Sequence, residues 1–263
     1  MVDAAKPGTV QSLTRALELM KTLALVPQGL SLKDIAAQNR LPPSTAHRLL
    51  TTLSENGFAT MAADCQKWRI GVEAFAVGQS FLAGRDLIQT ARAPMVRLME
   101  ETQETVKIGL LVGTQVVILT QSECSQPMRA FAEPGTSLPL YCTSLGKALL
   151  AAQGQAAAKT LLGDAAFTAL TSKTLPDFPA LWANISATYA HGYAVQDEEY
   201  REGLRGAAAC IFDEHGAPAA ALSVTGPSVR IPSDRLDQLG VLVARVCQGI
   251  TQEYGGKRPA IAA

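Results

Sequence analysis

The sequence predicts an α+β fold in which a small, mostly helical N-terminal domain precedes a larger domain with an antiparallel sheet flanked by helices. Three observations support this prediction. Short amphipathic helical patterns occupy the start of the chain, β-rich runs joined by short turns dominate its middle, and one long amphipathic helix closes it. With 263 residues, the chain is long enough for two domains that each bury a core.

The first two predicted helices begin at hydroxyl residues. Ser12 can cap the first helix, which ends at Pro27-Gln28-Gly29. Ser31 can cap the second, with Asp34 in its first turn. The apolar stripe expected on the first helix consists of Leu13, Ala16, Leu17, Met20 and Leu23.

The third helix starts at Pro42-Pro43, where no intrahelical N–H is needed. Its apolar residues fall at i, i+3, i+4 and i+7, which places them on one face. They are Ala46, Leu49, Leu50 and Leu53. The other face carries hydroxyls, an imidazole and a guanidinium, with no carboxylate before Glu55, and such a face suits phosphates and base edges. The candidate DNA-binding residues on this helix are Ser44, Thr45, His47, Arg48 and Thr51.

Two short strands are expected after the helix pair, around a polar turn near Ala63-Asp64. Lys67 and Arg69 lie on the return strand, where the wing of a winged helix-turn-helix contacts the DNA backbone. For the helix pair alone, an ordinary hairpin with a solvated outer face is an equal alternative. The strand pair favours a winged helix-turn-helix DNA-binding domain over residues 1–71.

Residues 72–85 predict a linker helix whose apolar residues occupy more than one face, as expected for a helix that contacts a second subunit. Residues 86–104 predict an amphipathic helix that Pro94 kinks or breaks. Its expected inward residues are Leu87, Ala91, Val96 and Leu98.

The rest of the chain alternates between strand and helix patterns. Strands are expected at 105–112, 115–120, 128–132, 207–213 and 219–225, with a short edge segment at 138–141. Helices are expected at 144–153, 156–162, 178–191 and 233–254, the last capped by Ser233. These elements define a second domain over residues 86–256, followed by a tail at 257–263.

Composition narrows the classes of protein. The chain has no net formal charge, but residues 1–70 hold eight basic against five acidic residues, a mild asymmetry consistent with a nucleic-acid module joined to another domain. The five cysteines are scattered and lack a CxxC spacing, which argues against a disulfide framework or structural zinc. No signal sequence or membrane-length apolar run occurs, so we expect a cytoplasmic protein without membrane contact.

The motifs of common enzymes are absent: the sequence has no G-x-S-x-G elbow, P-loop, Rossmann fingerprint or H-E-x-x-H. We therefore predict no catalytic residue, metal or cofactor. A binding site is better supported. Thr143, Ser144 and Lys147 lie at a helix start that can hold a carboxylate, although a simple N-cap is an equal alternative. Ser223 and Thr225 face one side of an apolar strand, where a small polar ligand could satisfy them.

Three segments, LPPSTAHRLLTTLSENGF, LPLYCTSLGKALLA and DEEYREGLRGAAACIFDEHGAPAAALSVTGP, make the chain resemble the IclR family of bacterial transcriptional regulators over nearly its whole length. The resemblance implies a GAF-like effector domain that binds a small carboxylate or oxo acid. It also implies a homodimer or dimer of dimers on palindromic double-stranded operator DNA. The effector-binding residues that it implies are Ala130, Leu138, Ser144, Leu145, Gln196, Asp197, Leu204, Gly206, Ser223 and Thr225.

Two positions depart from the family's founding member, in which the residue matching Gly206 is a cysteine and the residue matching Gln196 is an acid. The resemblance therefore does not name the effector. We expect a ligand-responsive regulator, a repressor of a metabolic operon. The alternative is a metabolite-binding enzyme or sensor whose winged helix mediates protein contacts.

Overall fold

The structure of the protein, a computed structural model, describes residues 9–62, 66–83, 86–164 and 166–259. The chain divides into two compact units, residues 1–85 and residues 86–263, and each has its own hydrophobic core. The predicted α+β fold, with a helix-turn-helix unit before a sheet-containing unit, is confirmed. No helix in the described ranges is both long enough and apolar enough to cross a bilayer.

The N-terminal unit consists of a helical core and a two-stranded antiparallel hairpin. Its elements are α1 (Gln11–Ala24), α2 (Leu32–Gln38), α3 (Pro43–Glu55), β1 (Ala59–Ala62), β2 (Lys67–Ile70) and α4 (Val72–Ala83). Leu30 and Trp68 exchange backbone hydrogen bonds of 3.0 and 2.8 Å, which attach the hairpin to the segment before α2. The turn expected near Ala63-Asp64 lies outside the described residues. Ser31 caps α2 as expected, since its hydroxyl accepts a hydrogen bond from the Asp34 N–H at 3.2 Å.

Two predictions for α1 were wrong. Val10 precedes the helix and Ser12 lies within its first turn, so no side chain caps it. Leu13 and Leu17 are 59% and 48% exposed, whereas Leu19 is fully buried. The rest of the expected stripe does face inward, since Leu23 is buried and Ala16 and Met20 are half-buried, so the buried face is the expected one shifted towards Leu19.

The C-terminal unit is built on a six-stranded antiparallel sheet with the order β5-β4-β3-β8-β7-β6. Its strands are β3 (Thr105–Val112), β4 (Gln115–Ser122), β5 (Ser137–Pro139), β6 (Ala194–Asp197), β7 (Leu204–Phe212) and β8 (Pro218–Pro227). Its helices are α5 (Asp86–Thr102), α6 (Ser144–Gln153), α7 (Gln155–Leu162), α8 (Phe178–Tyr189) and α9 (Ser233–Glu253).

Each face of the sheet has its own helical layer. Alternate residues of β3, such as Val106 and Ile108, pack with α5 and α9 in one cluster. On the opposite face, residues such as Ala208 and Ala221 pack with α6 and α8 in a second cluster. Because side chains alternate along a strand, Lys107 lies on the α6 side of the sheet.

The structure corrects several predictions for this unit. Helix α5 runs unbroken through Pro94, and Met95 faces the core while Val96 is 39% exposed. The segment 128–132 is not a strand, because a side chain rather than a neighbouring strand holds it: Gln121 Oε1 accepts a hydrogen bond from the Ala132 N–H at 3.3 Å. The short strand β6 was not predicted. Pro232, not Ser233, precedes α9 and makes no side-chain cap.

Candidate DNA-binding face and ligand pocket

Helix α3 presents a polar face opposite its buried residues Ala46 and Leu50. At about 100° per residue, a single arc of about 100° carries Ser44, His47, Arg48 and Thr51. Ser44, His47 and Arg48 are exposed, and Thr51 is half-buried. This arc therefore contains hydrogen-bond donors and a guanidinium but no carboxylate, which is the composition of a helix that reads base edges.

Thr45 lies at the edge of this face, half-buried beside a groove between α1 and α3. Arg48 also borders the groove, whose apolar wall includes Leu13 and Leu49. The five candidate residues on α3 thus form one surface, and two of them, Thr45 and Arg48, border the groove with α1.

The candidate wing residues Lys67 and Arg69 are two apart on β2, so both side chains leave the same side of the hairpin. The side chain of Trp68, between them, points into the core. Arg69 Nε donates to the Gln28 carbonyl at 3.3 Å, which orients the guanidinium. The His47 ring meets the Trp68 ring edge-on, with centroids 6.5 Å apart, and links α3 to the hairpin.

The C-terminal unit contains a cavity of about 500 Å³ between the sheet, the first turn of α6 and two loops. Its volume falls within the range of small-molecule sites. The loops are the 128–136 segment and the 200–204 segment. Arg230 fixes the first loop, since it donates to the Met128 carbonyl at 2.9 Å and binds both oxygens of the buried Glu104 at 2.7 Å.

Most of the candidate effector residues line this cavity. They are Ala130, Leu138, Ser144, Leu145, Gln196, Leu204, Ser223 and Thr225. Two of the candidates do not line it. Asp197 pairs with Arg205 and Lys173 instead. Gly206 lies opposite Thr225 on the neighbouring strand, and a Cβ at this position would come within 2.8 Å of Thr225 Oγ1.

The start of α6 forms one wall of the cavity. Thr143 is its N-cap, because the hydroxyl accepts from the Gly146 N–H at 3.2 Å and donates to the Pro139 carbonyl at 2.7 Å. Gly146 permits this close approach, since a Cβ there would lie 2.2 Å from the Leu140 carbonyl oxygen. Ser144 is left as the hydroxyl of this turn that faces the cavity.

Lys147 does not line the cavity but lies beneath it, fully buried. Its ammonium pairs with Glu199 and donates to Asn184 Oδ1 at 2.8 Å and to the Val195 carbonyl at 3.0 Å. Burial lowers the pKa of Lys147 and raises the pKa of Glu199. The charge of Glu199 partly offsets the change in Lys147, and the charge of Lys147 partly offsets the change in Glu199. The pair joins α6, α8 and β6 to the loop that continues into residues 200–204.

Sequence reasoning missed Lys107. Its side chain lines the cavity, although only 6% of it is exposed. Burial, together with the charge of Arg201, lowers its pKa from 10.5 to about 8. A lysine between the apolar residues Val106 and Ile108 of a strand was the signal that could have revealed it.

Reactive groups are scarce in the described part of the chain. Burial raises the pKa of the Cys142 and Cys247 thiols to about 12, so both stay protonated at neutral pH. Among the described residues, no three His, Cys, Asp or Glu side chains cluster as metal ligands would.

Comparisons with known proteins match both units. The model of the IclR helix-turn-helix domain matches residues 12–61, and the model of the C-terminal domain of bacterial transcriptional regulator IclR matches residues 79–252. The acetate operon repressor of Salmonella typhimurium is 39% identical over 253 residues, covering 95% of this chain and 92% of its own. The transcriptional repressor IclR of Escherichia coli is 39% identical over 260 residues, covering 98% of this chain and 95% of its own.

Solved structures share the fold. A transcriptional regulator from Rhodococcus is 28% identical to this chain, with a TM-score of 0.80, and the match covers 93% of this chain and 98% of the other. The match includes both the helix-turn-helix unit and the sheet-containing unit.

Proposed function

The chain belongs to the IclR family of bacterial transcriptional regulators and is a DNA-binding regulator of the kind that controls metabolic operons; from this premise we propose that it is an effector-responsive repressor. Its family and named relatives are transcriptional regulators and not enzymes. The proposal assigns operator contact to the N-terminal unit and metabolite binding to the C-terminal unit, with both acting in the cytoplasm.

The observation that carries the proposal is the carboxylate-free face of α3. Ser44, His47, Arg48 and Thr51 share one side of a helix whose other side is buried, and Thr45 extends that surface towards α1. In our proposal these side chains contact base edges, and Lys67 and Arg69 contact the DNA backbone beside the groove.

We propose a homodimer or a dimer of dimers, because a palindromic operator presents two equivalent half-sites. The first turn of α4 exposes the apolar side chains of Val72 and Phe75, at 73% and 65%. These side chains support a role for α4 in subunit contact, since exposed apolar residues are typical of interaction surfaces.

The cavity in the C-terminal unit is the proposed effector site. Its floor and walls combine apolar residues such as Leu138 and Leu145 with the hydroxyls of Ser144, Ser223 and Thr225. A small carboxylate or oxo acid would satisfy the hydroxyls and use the unpaired N–H groups at the start of α6. Control of DNA binding then requires that this acid bind the DNA-competent and DNA-incompetent states unequally.

The experiment that tests the proposal is an anisotropy titration of the full-length protein on its own upstream intergenic DNA, at fixed salt. The same length of scrambled DNA is the control. We expect specific, salt-dependent binding that a small organic acid weakens. Equal affinity for both DNAs would contradict the assignment of α3, and specific binding that no small molecule alters would contradict the assignment of the cavity.

A further inference from the structure

The C-terminal unit buries two lysines on the same side of its sheet, and their surroundings differ. Lys147 has a carboxylate partner, Glu199, together with two further hydrogen bonds. Lys107 is 94% buried and its side chain opens onto the cavity; in the described part of the chain its ammonium makes neither a hydrogen bond nor an ion pair with another residue. An unpaired buried ammonium is costly, and it needs either an anion or a change of protonation state to offset that cost.

The register of the sheet places Lys107 within a polar platform at the floor of the cavity. Lys107 of β3 lies directly opposite Ser223 of β8, and Thr105 lies opposite Thr225 in the next row on the same face. Paired side chains on adjacent antiparallel strands have Cβ atoms about 5 Å apart. Lys107, Ser223 and Thr225 are therefore neighbours on one face of the sheet, and all three line the cavity.

Gln196 extends the second row. It lies opposite Gly206 of β7, which in turn lies opposite Thr225. Because Gly206 has no side chain, no side chain stands between Thr225 and Gln196 on this face of the sheet. The side chains of these two rows that line the cavity are one cation, two hydroxyls and one amide, and this set suits an anion that carries a further oxygen.

The charges around the cavity do not neutralise Lys107. Five titratable side chains besides Lys107 line it: Arg129, Glu133, Tyr200, Arg201 and Glu202. Arg129 pairs with Glu123, while Glu133, Arg201 and Glu202 are exposed at the rim. The effect of Arg201 on Lys107 is repulsive, so the inner cavity keeps an uncompensated positive charge.

We infer that Lys107 is the anchor of the cavity: its ammonium holds the carboxylate of the acid, while an oxygen substituent of the acid lies against the Ser223 and Thr225 hydroxyls. This inference rests on the proposed effector role of the cavity, for which a small carboxylate is already the proposed ligand, and it adds the residue that anchors the carboxylate. A neutral ligand of the same shape would leave the buried charge uncompensated and would bind less well.

Proton uptake on binding follows from this arrangement. With a pKa of about 8, close to half of the Lys107 side chains are neutral at pH 8 in the free protein. A bound carboxylate favours the ammonium form, so binding at pH 8 should take up about half a proton per site. The charged groups at the rim, Glu133, Arg201 and Glu202, are exposed.

The test uses the full-length protein and a fixed set of probes: butyrate, α-hydroxybutyrate, α-oxobutyrate, benzoate and succinate, each beside its primary amide. Release of upstream DNA is followed by anisotropy, and acids that act are studied by calorimetry in two buffers of different ionisation enthalpy at pH 8. We expect at least one acid to act while its amide does not. That acid should show proton uptake.

Three variants test whether the charge of Lys107 is responsible for acid binding. Lys107→Met removes the charge and should lower the affinity for the active acid by roughly 10- to 100-fold. Lys107→Arg keeps the charge and should retain most of the affinity, but it should abolish the proton uptake because arginine stays charged. Lys159→Met makes the same chemical change at an exposed position outside the cavity and should leave acid binding unchanged.

The outcomes separate this inference from the proposed function. If the wild-type protein does not bind upstream DNA specifically, the proposed function fails. If it binds DNA and an amide matches its acid, or none of the acids acts, the ligand class is wrong while the DNA-binding role stands. If the affinity of Lys107→Met for the acid stays within about threefold of the wild-type affinity, Lys107 is not the anchor, even if the acid releases DNA from the wild-type protein.

Discussion

Lys147 and Glu199 form a buried ion pair beneath the ligand cavity. The pair joins α6, whose first turn forms one wall of the cavity, to the loop that continues into residues 200–204, which form another wall. Lys147 is fully buried, and Glu199 is 4% exposed. The pair and the hydrogen bonds of Lys147 to Asn184 and Val195 hold α6, α8 and β6 together. Neither charged side chain reaches the cavity, so the pair positions the site and leaves the ligand to other residues.

Removal of one partner of this pair should destabilise the C-terminal unit strongly. We expect Glu199→Gln to lower the free energy of unfolding by about 3–5 kcal/mol, because Lys147 would keep a buried charge without its anion. Urea unfolding followed by far-UV circular dichroism measures this change. The control is Lys159→Met, which breaks an exposed pair with Asp164 and should cost less than about 1 kcal/mol. A loss as small as that of the control would contradict the structural role of the pair.

The regular elements were largely predictable from the sequence because each has a strong local signal. Helix α3 begins at prolines that tolerate the first turn, and β3 and β4 are β-rich runs around the Gly113-Thr114 turn. Two errors concern type, since the segment 128–132 is not a strand and β6 was not predicted, while others concern only the direction in which a side chain points. In α5 the choice of Val96 was wrong on helical geometry alone: at about 100° per residue Met95 lies on the side of Leu87, Ala91 and Leu98, and Val96 lies on the opposite side.

The ligand site was less predictable, since its residues come from distant segments that the sheet brings together. Ser223 and Thr225 could be found because two hydroxyls alternate on an apolar strand. Lys107 was overlooked because a strand lysine is usually a surface residue, and only the pairing of β3 with β8 shows that it faces the same cavity. Asp197 was implied by the resemblance, but its side chain pairs with Arg205 and Lys173.

Arg48 is the residue of α3 whose loss should most affect operator binding. Arg48→Ala should weaken specific binding by roughly 1–3 kcal/mol if the guanidinium contacts a base in the major groove, and it should relax sequence preference at that position. Anisotropy with operator variants at fixed salt measures both effects.

The matched control for Arg48 is Arg97→Ala, which removes an exposed arginine from the C-terminal unit. It changes the net charge equally, so it should alter operator affinity much less than Arg48→Ala does. Equal losses from the two substitutions would show that Arg48 contributes only through overall charge.

Gly206 should be essential to the shape of the cavity floor. Gly206→Ala places a methyl group 2.8 Å from both Thr225 Oγ1 and the Val224 carbonyl oxygen, so Thr225 has to shift. We expect a loss of about 1–3 kcal/mol in unfolding free energy and weaker acid binding. Gly249→Ala on α9 is the control: a Cβ there meets nothing within 4 Å, and the change should stabilise the protein slightly. A Gly206→Ala protein as stable as the control would contradict the close packing at Thr225.

Lys107 should decrease the stability of the ligand-free protein, and this decrease should depend on pH. The folded-state pKa of about 8 lies below the usual 10.5, so below pH 8 the lysine is charged in both states and burial opposes folding fully. A pKa that is lower by one corresponds to about 1.4 kcal/mol, so Lys107→Met should raise the unfolding free energy at pH 7 by up to about 3 kcal/mol. Between pH 8 and 10.5 the unfolded chain binds the extra proton, so wild-type stability rises relative to the variant and the difference shrinks.

Hydrogen–deuterium exchange of the β7 and β8 amides across this range measures the difference within the C-terminal unit. A constant difference, or a less stable variant at pH 7, would mean that the ligand-free protein does not bury an uncompensated ammonium.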